Sequence, residues 1–460
     1  MATTYIHRTP STEGSLRKMT FSAWIKKSQP TQSTTWQWMI HSGDASDGDP
    51  SFGIGFKSDS IGIIDLNSSY AVNLVTTRKF RDCSSWYHIV VGIDTEQGSS
   101  ADRIKVWVNG VQETSFDTNT QPSQNHDMDG GINKTTYATE LGRDNYGGGE
   151  AYFDGYMAHV HWIDGTQYAA SDFGETDATT GEWKANTGPS VTYGTNGFFL
   201  KFEDSSNLDL DSSPNAHTFT TSGNLIQSED TPDNIFPTWN PLGATVVSYK
   251  NAGNTIYNST NWQNSYSTLG MTKGKWYAEF KTLNADKAVV GITPVNASAQ
   301  STMDGISSTN KRFGYGDGNR DGRVLSYNGG AGTKSTGGSD TTYSSGSIAA
   351  NDIIMVAVDM DNFIIWTGVN GTWNNSATAT EIQNGTTTNA MFTGFNSTSD
   401  TWHFAGTVEN STLEANFGNG YFGTSAISSP NSDSASLGKF KYTVPTGYYA
   451  LCTKNLNTQG

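Results

Sequence analysis

The sequence predicts an all-β protein made of two antiparallel β-sandwiches in series, and three observations carry that prediction. Trp86-Tyr87-His88-Ile89-Val90-Val91-Gly92-Ile93-Asp94 is followed closely by a second β-branched run, residues 103–111, closed by Asn109 and Gly110. Such runs, joined at an Asn-Gly pair, form neighbouring antiparallel strands with tight turns. The same pattern recurs downstream, where residues 352–359 lead through 362–366 to Val369-Asn370-Gly371-Thr372-Trp373. Composition agrees: 50 Gly in 460 residues, 12% aromatic and only 16% charged residues describe a turn-rich β protein. The chain is too long for one ordinary core.

The first block, residues 1–222, opens on a half-buried strand in which Phe21, Ala23 and Ile25 alternate with Ser22, Trp24 and Lys26. Ile104, Val106 and Val108 share one face of a later strand, with Lys105 and Trp107 on the other. Tyr156, Ala158, Val160 and Trp162 alternate with Met157, His159, His161 and Ile163. A last strand at 198–202 follows the turn residues Asn196 and Gly197, and at most one or two helical turns are expected at 169–175. Residues 223–243, with Pro232, Pro237 and Pro241, read as a connector. It should be ordered, because Phe236 and Trp239 are costly to leave in water. The second block, 244–460, holds strands at 276–281, 288–292, 353–358, 363–366 and 448–451. Residues 327–346 read as a long Gly, Ser and Thr surface loop. No heptads are present, so no coiled-coil stalk is expected.

A net charge of −16 argues against a nucleic-acid surface, which needs clustered Lys and Arg, and favours solubility. No run of about 18 apolar residues exists to insert in a membrane, and residues 1–10 lack the apolar core of a secretory signal. The two cysteines, Cys83 and Cys452, sit in different blocks and are expected to be buried thiols. Manufacture in a host cytoplasm with service outside the cell, without disulfides, suits a virion component.

The first block resembles the laminin-G-like, concanavalin-type jelly-roll family. The matching residues are Phe21-Ser22-Ala23-Trp24-Ile25, the strand at 86–91, Val106-Trp107-Val108-Asn109-Gly110 and the closing strand at 153–160. The second block resembles a SPRY-type sandwich. Its marks are Gly274-Lys275-Trp276-Tyr277-Ala278-Glu279-Phe280, Val290-Gly291-Ile292, Phe313-Gly314-Tyr315-Gly316, residues 358–361, 369–373 and Ala415-Asn416-Phe417-Gly418. The combination is similar to virion proteins of tailed bacteriophages through three connecting motifs. These are residues 173–181, Asp230-Thr231-Pro232-Asp233-Asn234, and Pro445-Thr446-Gly447-Tyr448-Tyr449-Ala450-Leu451-Cys452-Thr453. Such proteins serve as fibres, tail tips or capsid surfaces.

Four kinds of candidate site follow. Asp317, Asn319 and Asp321 match the first half of a calcium loop, making calcium the one candidate cofactor, although the twelfth position, Asn328, supplies no bidentate carboxylate. In a SPRY-type fold the same residues form an exposed hairpin. Asp44, Asp47 and Asp49 form a second acidic loop, at a place where laminin-G relatives can hold calcium. His159 and His161 share a strand face at a spacing that can ligate zinc or iron, with only His88 as a third ligand; ordinary strand histidines are the expected reading. A glycosidase needs two acids about 5–9 Å apart, and no strand carries a Glu-x-Asp-x-Glu pattern; Asp209 and Asp211 alternate, but in a Ser-rich and Pro-rich stretch. Finally, Trp36, Trp38, Tyr70, Tyr146, Trp262, Tyr343 and Trp373 sit in or beside apparent loops, where aromatic faces can stack on sugars or anchor an interface.

The expected function is a non-enzymatic virion structural protein, a fibre or tail-associated adhesin that meets a host glycan or receptor alongside other virion proteins. Readings from other classes are a capsid decoration protein and a polysaccharide-degrading enzyme. A homo-oligomer is expected, with a trimer favoured, because single weak contacts gain from avidity and three-fold symmetry is usual in the fibres this chain resembles.

Overall fold

A computed structural model describes residues 4–30, 36–145, 151–242, 247–260, 262–285, 287–295, 322–336, 339–344, 346–395 and 401–460. The fold is nearly all β and antiparallel, and the chain divides into two compact units, Met1–Gln227 and Ser228–Gly460.

The first unit packs an eight-stranded sheet against a six-stranded one. The larger sheet runs Phe116–Thr120, Ser69–Thr76, Ser60–Asn67, Ser51–Lys57, Trp36–Gly43, Thr139–Leu141, Tyr5–Arg8, Thr220–Ser222. The smaller runs Phe198–Leu200, Gly155–Asp164, Lys18–Lys27, Tyr87–Asp94, Ile104–Val108, Val111–Glu113. Period-2 alternation explains the core: Phe21, Ala23 and Ile25 of one sheet meet Phe52, Ile54 and Phe56 of the other. Trp162 anchors this core, and its indole N–H donates to Asn133 Oδ1 at 2.9 Å. Asn133 donates in turn to Asp164 and to the Ser15 carbonyl, while Asp164 also accepts the Ser15 and Asn196 amides at 2.7 and 3.0 Å. One buried carboxylate thereby ties two loops to the end of a strand.

A smaller apolar layer, including Phe173, Tyr193 and Phe199, roofs the outer face of the six-stranded sheet. The motif at 173–181 builds this roof. Gly174–Thr176 pairs with Trp183–Ala185, and Asp177 closes their turn by accepting the Thr179 and Thr180 amides.

The second unit pairs a nine-stranded sheet centred on Lys275–Thr282, Ile353–Asp359 and Ile364–Val369 with a six-stranded sheet centred on Thr401–Val408 and Lys287–Val295. Trp239, Trp276, Phe280, Phe404 and Phe417 fill the space between them. A second apolar layer lies on the outer face of the nine-stranded sheet, where Phe440, Val444, Tyr448, Ala450 and Cys452 meet Tyr277, Met355 and Trp366.

Three expectations need correction. The break falls between Gln227 and Ser228, and residues 235–239 are not a connector between cores. Phe236 and Trp239 are fully buried within the second unit. The motifs at 230–234 and 445–453 meet there: the Thr453 amide donates to the Ile235 carbonyl, the Ile235 amide to Thr453 Oγ1, and the Lys454 amide to Asn234 Oδ1. Residues 327–346 are not one long loop either, because Thr333–Thr336 and Ser339–Thr342 extend the six-stranded sheet from Arg323–Asn328. Finally, Trp38 is not a loop residue; it is buried inside the strand that Trp36 begins.

Candidate functional site

Strand Trp36–Gly43 sends Met39 and Ile40 into the sandwich core, with an irregularity in register between Trp38 and Ile40. Trp36 and Trp38 lie on the opposite face of the sheet, where Trp38 packs with Ile64 and Ala151. The two indoles stack with centroids 4.3 Å apart and planes 8° from parallel. Three glycines on the neighbouring strands make room for them. A Cβ on Gly53 would strike Trp38, one on Gly55 would crowd it at 3.1 Å, and one on Gly62 would strike Trp36. These glycines are there for lack of a side chain, not for backbone freedom.

Trp38 is held from above as well. Its Nε1–H donates at 3.0 Å to Asp144 Oδ2, whose other oxygen accepts the Ala151 amide at 2.8 Å. Burial raises the Asp144 carboxyl above its usual range despite those donors. Trp38 is 3% exposed and so is part of the base, whereas Trp36 is only half-buried. Lys57, paired with Trp36 in register, holds its ammonium 5.5 Å from the Trp36 ring centroid. Further along the sheet the Arg143 guanidinium lies 3.4 Å from the Tyr5 ring centroid and pairs with Glu140. Trp36 and Lys57 thus form an aromatic and cationic patch beside the buried Trp38, while the Arg143 charge is spent on Glu140.

The histidines have a structural role. His88 Nδ1 faces the donor-only Trp183 Nε1 at 2.9 Å, so the proton sits on Nε2, toward Ser22 Oγ at 2.9 Å. His88 is sandwiched near Trp24 and Trp183, and burial holds its pKa down at about 3. His161 stacks on Phe199 at 3.8 Å, hydrogen-bonds Tyr193 Oη through Nδ1, and is also driven far down by burial. His159 sits in a bulge at φ 47°, and its ring, like that of His161, packs against Phe199 on the outer face of the sheet. Both ring nitrogens of His88 are engaged, and the described residues contain no group of three His, Cys, Asp or Glu suited to a metal ion.

The other acidic candidates hold backbone or, for Asp209, a neighbouring hydroxyl. Asp44 accepts Ser46, Asp47 accepts the Asp49 amide, and Asp49 accepts the Ser68 amide. Asp211 accepts the Phe199, Ser213 and His217 amides, while Asp209 accepts the Thr221 hydroxyl.

The second unit's aromatics are mostly interior. Trp262 is 4% exposed and packs on Val289, Val324 and Ala405. Tyr343 is 8% exposed and donates its hydroxyl to the Asn389 carbonyl at 2.9 Å. Both are therefore removed from the set of loop aromatics available to a ligand. Trp373 is half-buried at the end of the nine-stranded sheet, edge-on to Tyr277. Tyr70 is exposed on a strand. Tyr146, Asp317, Asn319 and Asp321 lie outside the described residues.

The sequence reading missed the glycine floor and Lys57. Their signal was present as glycine at alternating positions in residues 51–57, Ser-Phe-Gly-Ile-Gly-Phe-Lys, beside a Trp-x-Trp strand.

Residues 2–171 match a laminin-G-type family described as the concanavalin A-like lectin/glucanases superfamily. Among solved structures the chain is similar to the SPRY domain of human HERC1, at 14% identity and TM-score 0.27, over 38% of this chain and 96% of that one. It is similar to the TRIM65 PSpry domain at 8% identity and TM-score 0.27, over 39% and 91%. It is also similar to the native heptameric SAP-like pentraxin of Limulus polyphemus at 14% identity and TM-score 0.29, over 41% and 87%. No curated protein sequence matches the chain. No helix among the described residues is long and apolar enough to cross a membrane.

Proposed function

We propose that this chain is a non-enzymatic surface protein of a tailed-bacteriophage particle, a fibre or tail-associated adhesin that contacts a host glycan or receptor. The observation that supports adhesion best is the half-buried Trp36, stacked on the fully buried Trp38 above a glycine floor and accompanied by Lys57. An aromatic ring stacks on the apolar face of a sugar, and a ring already fixed in place loses little entropy on binding. The virion setting rests on the likeness of the three connecting motifs to phage virion proteins, and the SPRY-like character of the second sandwich on its sequence marks.

Self-association as a trimer belongs to the same proposal. The strands Phe116–Thr120 and Thr220–Ser222 end the eight-stranded sheet and can offer backbone groups to a neighbouring copy. Several copies in register would convert weak single contacts into useful avidity. Electron microscopy of intact particles carrying a labelled chain tests place and symmetry together. The label should mark the tail or projecting fibres in three-fold groups. A regular lattice on the capsid faces would contradict adhesion in favour of decoration, and single isolated copies would contradict the trimer.

A further inference from the structure

Resting on the adhesion reading, we propose that the Trp36–Lys57 patch selects an acidic sugar, a uronate whose carboxylate meets the Lys57 ammonium while its ring stacks on Trp36. Trp36 and Lys57 stand opposite each other in register on the neighbouring strands Trp36–Gly43 and Ser51–Lys57. Directly opposed residues hold their Cβ atoms about 4.5–5.5 Å apart, so ring and ammonium are presented together. Trp38 stacks against one face of Trp36, which directs a ligand to the rest of the ring, beside the ammonium. A Cβ on Gly62 would lie 2.5 Å from the Trp36 ring and 3.4 Å from the Lys57 Cβ, so the missing side chain keeps the space between the two clear.

Charge decides the class of ligand. The chain carries 44 acidic against 28 basic residues, so carboxylates are plentiful, and the cations near the patch use them. Arg143 is paired with Glu140. Lys79 donates to Ser60 Oγ on the strand beside Lys57 and is paired with Asp59 and Asp117. Among the described residues no acid pairs with Lys57, and its ammonium lies against the Trp36 ring, 5.5 Å from the centroid.

A neutral sugar stacked on Trp36 would push that ammonium off the aromatic ring and return nothing for the lost contact. A carboxylate on the sugar replaces the contact with a charge-assisted hydrogen bond, stronger than a neutral one. An amino sugar would bring a second cation against the first. Stacking supplies affinity for any pyranose, and Lys57 supplies the choice among them.

Calorimetry on the full chain compares three short uronic-acid oligosaccharides, built on galacturonate, mannuronate and glucuronate, with their methyl esters. Salt at about 0.15 M screens the acidic remainder of the chain beyond about 8 Å and leaves the contact pair in force. At least one acid should bind roughly fivefold tighter than its ester, the upper end for an exposed ion pair. Lys57→Met, which keeps the stem and drops the charge, should equalise acid and ester, and Lys57→Arg should keep the preference. Trp36→Ala should weaken both forms together. Equal binding of acid and ester by the wild-type chain, with both weakened in Trp36→Ala, would overturn the charge preference and leave adhesion standing. A preference that survives in Lys57→Met would overturn it as well. No binding of any of these sugars at millimolar concentration, or binding untouched by Trp36→Ala, would remove the adhesion reading and this proposal with it.

Discussion

Acidification from pH 7 toward pH 4 will unfold the first unit. His41 and His88 are held down at about 3 by burial, His41 with further repulsion from Arg143 and His88 from His159. His161 is likewise held well below its usual value, by burial and by His159, His88 and Lys201. In the unfolded chain each takes up its proton near pH 6.5. The unfolded state therefore binds more protons throughout the window below 6.5. The stability these neutral rings contribute is present above that value and is lost as pH falls toward 3.

Three such groups give a slope approaching about 4 kcal/mol per pH unit, against a typical total stability of about 5–15 kcal/mol. Asp65, Asp144 and Asp164 act in the opposite sense, because burial raises each of them and the folded state takes up their protons first. Their contribution begins above the ordinary carboxylate range, as pH falls toward their raised folded values, and offsets part of the histidine slope. Protonation also breaks a specific contact: a charged His88 would present N–H to the indole N–H of Trp183 and release the roof hairpin. Hydrogen exchange of peptides spanning Lys18–Lys27 and Tyr87–Asp94, corrected for intrinsic rate, should show protection collapsing by about pH 4.5. Protection unchanged down to pH 4 would contradict this account of the histidines.

Trp239→Ala will destabilise the second unit by about 3–5 kcal/mol, the usual cost of emptying a large aromatic site in a core. The ring is fully buried, lies 5.3 Å edge-on to Phe417 and 5.8 Å from Phe280, and rests on Gly406, where a Cβ would crowd it. Its backbone N–H is also bonded, to the Gly253 carbonyl at 2.9 Å. Denaturant unfolding, with second-unit peptides followed by exchange, checks the loss. A cost below about 1 kcal/mol, the level expected of an exposed position, would mean that residues 235–239 are a connector after all.

The strands that could be read in advance were those with unbroken β-branched and aromatic runs, such as Tyr87–Asp94, Ile104–Val108 and Ile353–Asp359. The four consecutive strands from Trp36 to Thr76 were not legible, because Gly53, Gly55 and Gly62 interrupt the pattern and read as turns. Their meaning depends on rings supplied by another strand, which no local window contains. The same limit misplaced Trp38, Trp262 and Tyr343, whose neighbouring Ser, Thr, Asn and Gly residues look like loop while tertiary packing buries the rings. Glu279 carried no signal beyond being a lone acid in an apolar strand. Two of its backbone partners, the Lys441 and Tyr442 amides, lie more than 160 residues away. The carboxylates were legible as polar residues in turns, and their employment on backbone amides follows from the need to satisfy buried donors.

Binding of the purified full chain to host-cell surface polysaccharide, compared with Trp36→Ala, tests the adhesion claim most directly. Trp36 is half-buried, so its loss should leave thermal unfolding within a few degrees of wild type, while Trp38 and the glycine floor remain. The account predicts saturable binding by the wild-type chain and at least a tenfold loss in the variant, about 1.4 kcal/mol, within the range of an aromatic contact. Equal binding by the two proteins, or no wild-type binding at millimolar sugar, would contradict it.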